Sequence, residues 1–155
     1  MKKYILPLLL AISAPAIAQV DESSLIDFGE TEPLSIASGD NTHDFSVEIA
    51  DNDAKQAQGL MFRESLAPDA GMLFEFAAPK VATIWMKNTE VPLDILFIRA
   101  DGRIVKIAHA AQPQSLRSAS SEVIVAAVLE LPAGRTEELG ISPGDFVRHG
   151  FFASE

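Results

Sequence analysis

Two carboxylates stand inside apolar stretches of this sequence. Glu130 interrupts Val123–Leu131, a run otherwise built from Val, Ile, Ala and Leu. A carboxylate buried there must pair with a cation, bind an ion or take up a proton. Lys87 and Arg63 are the expected partners for a structural ion pair. The functional alternative has Glu130 lining a pocket as a hydrogen-bond acceptor. Asp94 lies near the start of Leu93–Ala100, and His109 ends Arg103–His109; Asp101-Gly102 joins the two runs. A two-residue Asp-Gly loop of type I′ would set Ala100 against Arg103, Ile98 against Val105, Leu96 against Ile107 and Asp94 against His109. In that register the carboxylate orients the imidazole and raises its pKa, the arrangement acid–base catalysis uses. The plainer readings are a cross-strand pair worth about 0.2–1 kcal/mol and an aspartate that accepts backbone N–H groups of the Asn88–Pro92 turn.

Trp85-Met86-Lys87-Asn88-Thr89 gathers an indole, a thioether, an ammonium, an amide and a hydroxyl at one strand end. Trp85 and Lys87 share a face in an extended strand. This mixture suits a pocket rim, an apolar platform with a few converging polar groups. It also suits core packing by Trp85 and Met86 with turn chemistry at Asn88 and Thr89. Other chemistries find little footing. His43, His109 and His149 have no paired ligand spacing, and there is no cysteine, so no metal site is expected. Met61, Met72 and Met86 are too scattered for a Cu(I) site and read as core filler. There is neither a glycine-rich phosphate loop nor a Gly-x-Ser-x-Gly turn, and no cofactor is expected.

The elements that must carry these residues read as follows. Residues 1–18 have the pattern of a signal peptide: Lys2 and Lys3, an apolar run from Tyr4 to Ile12, and Ala16-Ile17-Ala18 before Gln19. The apolar run is short for a membrane span, so an exported chain, periplasmic or extracellular and not inserted in the membrane, is expected. Residues 19–42 read as an acidic N-terminal arm, within which Pro33–Ala37 suits a short edge strand. Residues 43–150 read as a single β-rich domain and 151–155 as a tail. The net charge of −10 argues against nucleic acid, whose phosphates require clustered Lys and Arg. It argues equally against an anionic membrane surface.

Within the domain, Asp44–Ala50 alternates as a strand. Asp53 and Gln56 resemble a capping box opening a short helix. Met72–Ala77 and Val81–Lys87 read as two strands broken at Pro79-Lys80, Gln112–Ser121 as a polar loop, Val123–Leu131 as a buried strand, Thr136–Leu139 as at most a helical turn, and Phe146–His149 as a short closing strand. About six or seven short strands with one short helix, and no strand–helix alternation, give a mainly β fold: a small, mostly antiparallel barrel or sandwich.

Six blocks taken in order add a resemblance. They are Gln58–Arg63, Gly71–Phe74, Trp85–Thr89, Pro92–Phe97, Val128–Leu131 with Gly134, and Gly144-Asp145. Together they resemble the domain-of-unknown-function family one-nine-two, from about Phe45 to Val147. The resemblance implies a compact, mostly β domain, often exported, and no established activity. It marks Gly59, Met61, Arg63, Gly71, Met72, Trp85, Lys87, Asn88, Thr89, Asp94 and Glu130 as signature positions. The functional expectation is a non-enzymatic binding or envelope-associated module for a small polar ligand, anionic or sugar-like, held by Arg63, Trp85, Lys87, Asn88, Thr89, Asp94, His109 and Glu130. The alternative is a hydrolase with Asp94 or Glu130 as general base. The sequence specifies no oligomeric state.

Overall fold

A computed structural model describes residues 25–152. The expected signal peptide and the first residues of the acidic arm lie outside the described residues. Seven strands form one sheet: β1 (Glu32–Ser38), β2 (Asn41–Ala50), β3 (Ala70–Ile84), β4 (Leu93–Ile98), β5 (Ile104–Ala111), β6 (Ala119–Pro132) and β7 (Phe146–Arg148). Two short helices, α1 (Asp53–Gln58) and α2 (Arg135–Leu139), complete the set. The spatial order is β5-β4-β6-β3-β2-β1-β7. Neighbours are antiparallel except β2 and β3, which run parallel because α1 and the loop after it carry the chain across. The sheet curls into a half-barrel. Its two edges approach each other where Arg103 bridges Phe146 and where the Ile104 and Val147 amides donate to Asp145 and Gly102. The mainly β fold expected from the sequence is thus present, with one parallel pair and a second helix added.

The sheet is packed on both faces. Inside the curl lie Leu34, Ile36, Val47, Leu73, Leu96, Ile98, Leu129, Leu131 and Val147. On the other face lie Leu60, Met72, Phe74, Met86, Leu93, Ile95, Phe97 and Val128. Every residue of β4 is buried, which explains why its sequence is a continuous apolar run with a single acid. Gly71 lets β3 and β6 approach: a Cβ there would stand 2.6 Å from the Glu130 carbonyl oxygen and 2.8 Å from Leu131 Cδ2.

Several sequence expectations are corrected. The hairpin loop is not a two-residue type I′ turn. Only Gly102 has positive φ, at 82°; Arg99 accepts from the Gly102 amide and pairs with Arg103, giving a three-residue Ala100-Asp101-Gly102 loop. Register shifts follow, so Leu96 faces Ile107 as expected but Ile98 faces Ile104, and Asp94 has lost direct pairing with His109. Asn52, not Asp53, caps α1 by accepting the Lys55 amide at 3.0 Å. The two strands expected around Pro79 are one, β3, with a register break between Glu75 and Lys80 that absorbs the missing proline N–H. That strand ends at Ile84, before Trp85. The polar loop yields its last residues to β6, which starts at Ala119. The β-rich body also begins ahead of residue 43: Phe28 is buried, and β1 lies between β2 and β7 and is not an edge. At the other end Phe151 and Phe152, expected in the tail, pack on the inner core.

Candidate functional site

Glu130 is the residue around which a site can be built. On β6 it stands opposite Met72 of β3 and Ile95 of β4, on the outer face. It is 4% exposed. The cations expected to neutralise it are engaged elsewhere. The Arg63 guanidinium pairs with Glu48 at 2.9 Å and lies 5.8 Å from the Phe28 ring centroid. The Lys87 ammonium sits 5.3 Å from the Trp85 ring centroid. No side-chain hydrogen bond to Glu130 is found among the described residues, and burial alone pushes its carboxyl up to about 8. At neutral pH this group is therefore a carboxylic acid rather than a carboxylate.

The acid opens onto a cavity of about 90 Å³. The cavity is lined by the end of α1 and the residues after it (Gln56 to Met61), by Phe74, Thr83 and Ile84 of β3, and by Trp85 and Thr89. The chain reaches this shape through local rules. Gly59 ends α1 with φ at 49°, and its amide returns to the Lys55 carbonyl; a Cβ there would stand 3.1 Å from the Phe74 ring. The segment after β3 is pinned by backbone bonds: Met86 N–H to the Ser115 carbonyl, Phe62 N–H to Asn88, and Gln114 N–H to Thr89. Asn88 takes a positive φ of 54°, which asparagine tolerates. The Gln56 amide nitrogen donates to the carbonyls of Ala50 and Glu75, so Gln56 locks α1 onto the sheet rather than closing a capping box.

Of the eight sequence candidates, Trp85, Thr89 and Glu130 meet at this cavity. Asn88 borders it, its amide nitrogen 3.9 Å from the Met61 sulfur. Lys87 is exposed at the rim on the indole, and Arg63 is turned away toward Glu48. Asp94 and His109 belong to the opposite face of the sheet. Asp94 is fully buried and accepts four hydrogen bonds: from the amides of Ala110 (3.0 Å), Gly134 (3.2 Å) and Thr136 (3.0 Å), and from the Thr136 hydroxyl (2.7 Å). Burial raises its pKa, but the Thr136 hydroxyl and the three amides outweigh that and hold it below the usual carboxylate range. His109 meets this carboxylate only through the Thr136 hydroxyl, 3.2 Å from its Nδ1. Asp94 thus ties the end of the β4–β5 hairpin to the start of α2. The amides it accepts come from Ala110 and the start of α2, not from the Asn88–Pro92 turn.

The charged candidates do not converge on one rim, and Glu130 is not neutralised in a bridge. Gln56, Gln58 and Phe74 complete the cavity, and Thr136 completes the Asp94 network; none of these could be found from sequence spacing, because each arrives from a distant segment. A larger open hollow of about 620 Å³ between β5 and the first half of β6 holds none of the candidates. Two of its polar side chains are already engaged, the Lys106 ammonium 2.7 Å from Glu122 and Ser121 bonded to Ala82 and Val123, and Arg99 lines it as an exposed side chain.

The model of the DUF192 family, described as an uncharacterised ACR, matches residues 34–149. This chain belongs to the DUF192 family. It is similar to a solved structure from Sinorhizobium meliloti 1021, provisionally described as a transcription regulator. That protein is 40% identical with a TM-score of 0.79, over 83% of this chain and 100% of its own. A protein of unknown function from Novosphingobium aromaticivorans DSM 12444 is 39% identical with a TM-score of 0.75, over 77% of this chain and 85% of its own. No curated protein matches the chain.

Proposed function

We propose that this DUF192 protein is an exported, non-enzymatic binding module whose ligand enters the cavity between Trp85, Thr89 and Glu130. The observation that carries the reading is the Glu130 carboxyl, buried and without a side-chain partner among the described residues, facing space. Its oxygens reach the cavity space, so a bound polar group can bond to them directly. Trp85, half exposed beside it, supplies a flat apolar platform. The size fits a small molecule or the tip of a larger one: a water needs about 10–15 Å³ of such space. The anionic ligand expected from sequence loses its support, since Arg63 and Lys87 do not enter the cavity. Export rests on the pattern of residues 1–18. The net charge of −10 gives no support to nucleic-acid binding here.

A hydrolase remains the second reading, favoured by one feature: a carboxyl with pKa near 8 is a competent general base once ionised. Of the two acids considered, only Glu130 qualifies, because both oxygens of Asp94 are fully engaged.

Trp85 is the only tryptophan, so its emission reports directly on the cavity mouth. Purified protein is screened against envelope metabolites by thermal shift, and hits are titrated by tryptophan fluorescence. A true ligand raises Tm, changes Trp85 emission, and loses both effects in Glu130→Gln. Hits that stabilise wild type and Glu130→Gln equally, with no change in emission, would refute the cavity as the binding site. For export, N-terminal sequencing of the protein from a periplasmic fraction should begin at Gln19.

A further inference from the structure

The cavity's chemistry is one-sided, and it narrows the ligand class. Glu130 is the only titratable residue in its lining. The strands flanking Glu130 place Met72 and Ile95 opposite it, so no charged group faces it from β3 or β4. The polar side chains around it are biased toward accepting. Gln56 has its amide nitrogen committed to two backbone carbonyls, which leaves its Oε1 as the available atom. The Thr89 hydroxyl donates to the Lys87 carbonyl, which leaves its lone pairs. Gln58 and Thr83 are the exceptions: the Gln58 Oε1 accepts the Ile26 amide, so its amide N–H is the free end, and the Thr83 hydroxyl can donate as well as accept. Two aromatic residues, Trp85 and Phe74, add ring faces that carry negative charge density. The nearest cation, Lys87, stands at the rim 5.3 Å from the Trp85 ring centroid and is not part of the lining, so a lining of acceptors, aromatic rings and a carboxyl is suited to receive positive charge.

We propose that the cavity takes a primary alkylammonium group, with Glu130 as its counter-ion, Thr89 and Gln56 accepting its other N–H bonds, and Trp85 covering its alkyl stem. The three donors of an ammonium match the three acceptor groups, and a cation over an indole is favourable when desolvated. The volume of about 90 Å³ admits the end of an amine or of a lysine side chain, not a whole drug-sized molecule. In the free protein a proton occupies the carboxyl; on binding, Glu130 releases that proton and the ammonium replaces it as the positive partner. The exchange is balanced: one proton leaves to solvent as one cation enters.

This inference rests on the cavity reading, and the test separates the two. The probes are ethylammonium chloride, ethanol as its neutral counterpart, and sodium chloride at matched ionic strength. Binding is followed by Trp85 emission and by NMR shifts of the cavity methyl groups. Alkylammonium groups stay charged well above pH 8. The bound form requires ionised Glu130, so the apparent affinity for ethylammonium should tighten about 50-fold between pH 6 and pH 8. Calorimetry in two buffers of different ionisation enthalpy should show close to one proton released at pH 6.5. Glu130→Gln should weaken binding at least tenfold, while Arg63→Ala should leave it unchanged. If Glu130→Gln fails to fold, the pH dependence and proton release in wild type still decide. Ethanol binding as well as ethylammonium, with affinity falling toward pH 8, would overturn the ammonium assignment and leave the cavity reading standing. Perturbation by neither probe would overturn both.

Discussion

Replacing Glu130 by Gln should remove most of a pH dependence that the wild-type protein carries. In the folded protein the Glu130 carboxyl holds its proton to about pH 8, against an ordinary value of 4.5. Between those values the folded state binds a proton that the unfolded chain has released. Stability therefore falls as pH rises through that window, by about 1.4 kcal/mol per unit. The contribution is complete below pH 4.5 and exhausted above about pH 8. From pH 5 to pH 8 the loss due to this one group is on the order of 3–4 kcal/mol, a large share of the stability of a small domain. Glu130 is almost fully buried, so little is subtracted for solvent screening. Gln has no proton to lose. Its constant cost, from an amide placed where an acid sat, shifts the whole curve without tilting it. Glu75, also raised chiefly by burial, tilts both curves alike and cancels in the difference. Urea unfolding at half-unit pH steps, followed by Trp85 emission, gives the two curves. Glu130→Gln should gain steadily on wild type from pH 5 to pH 8. Parallel curves would refute the reasoning, because they would mean that Glu130 is already ionised in the folded state.

Other substitutions probe the frame around the cavity. Asp94→Ala should cost at least about 3 kcal/mol in urea unfolding, since it strands three amides and the buried Thr136 hydroxyl. The same carboxylate predicts acid sensitivity: its contribution is present above pH 3.8 and lost as pH falls through its lowered folded value, so the wild-type acid limb should be shallower in Asp94→Ala. Gly71→Ala should cost about 1–3 kcal/mol or more, measured by Tm, because the added methyl meets the Glu130 carbonyl and Leu131. Arg63→Ala and Lys87→Ala should each cost less than about 1 kcal/mol, their ion-pair and ring contacts being solvent-accessible.

How much of this was readable in advance depends on the range of the interaction. Alternation along β2 and the unbroken apolar runs of β4 and β6 are local signals, and they revealed the mainly β fold. Asp101-Gly102 marked the hairpin, but the turn type depends on Ala100 joining the loop and on Gly102 meeting Val147, a contact across the curl of the sheet. The extra loop residue is absorbed between Phe97 and Ile98, and a second register shift between Leu93 and Ile95, at the far end of the hairpin, separates Asp94 from His109. The isolated acid in β6 was visible as an anomaly, and so was the indole segment. Their meeting was not, because it is made by the parallel β2–β3 crossover and by α1. Charge matching suggested Lys87 and Arg63 as partners for Glu130. Each instead found a closer site: an aromatic ring for Lys87, and for Arg63 an acid on β2, beyond β3 from Glu130.

The central claim is that Glu130 is an unpaired acid facing a ligand cavity. The most direct measurement is a carbon-13 NMR titration of the side-chain carboxyls in the ligand-free protein, with the Glu130 signal assigned by its loss in Glu130→Gln. The expected result is a midpoint near pH 8 that moves down when ethylammonium is bound. A midpoint near 4.5, unmoved by the amine, would contradict it.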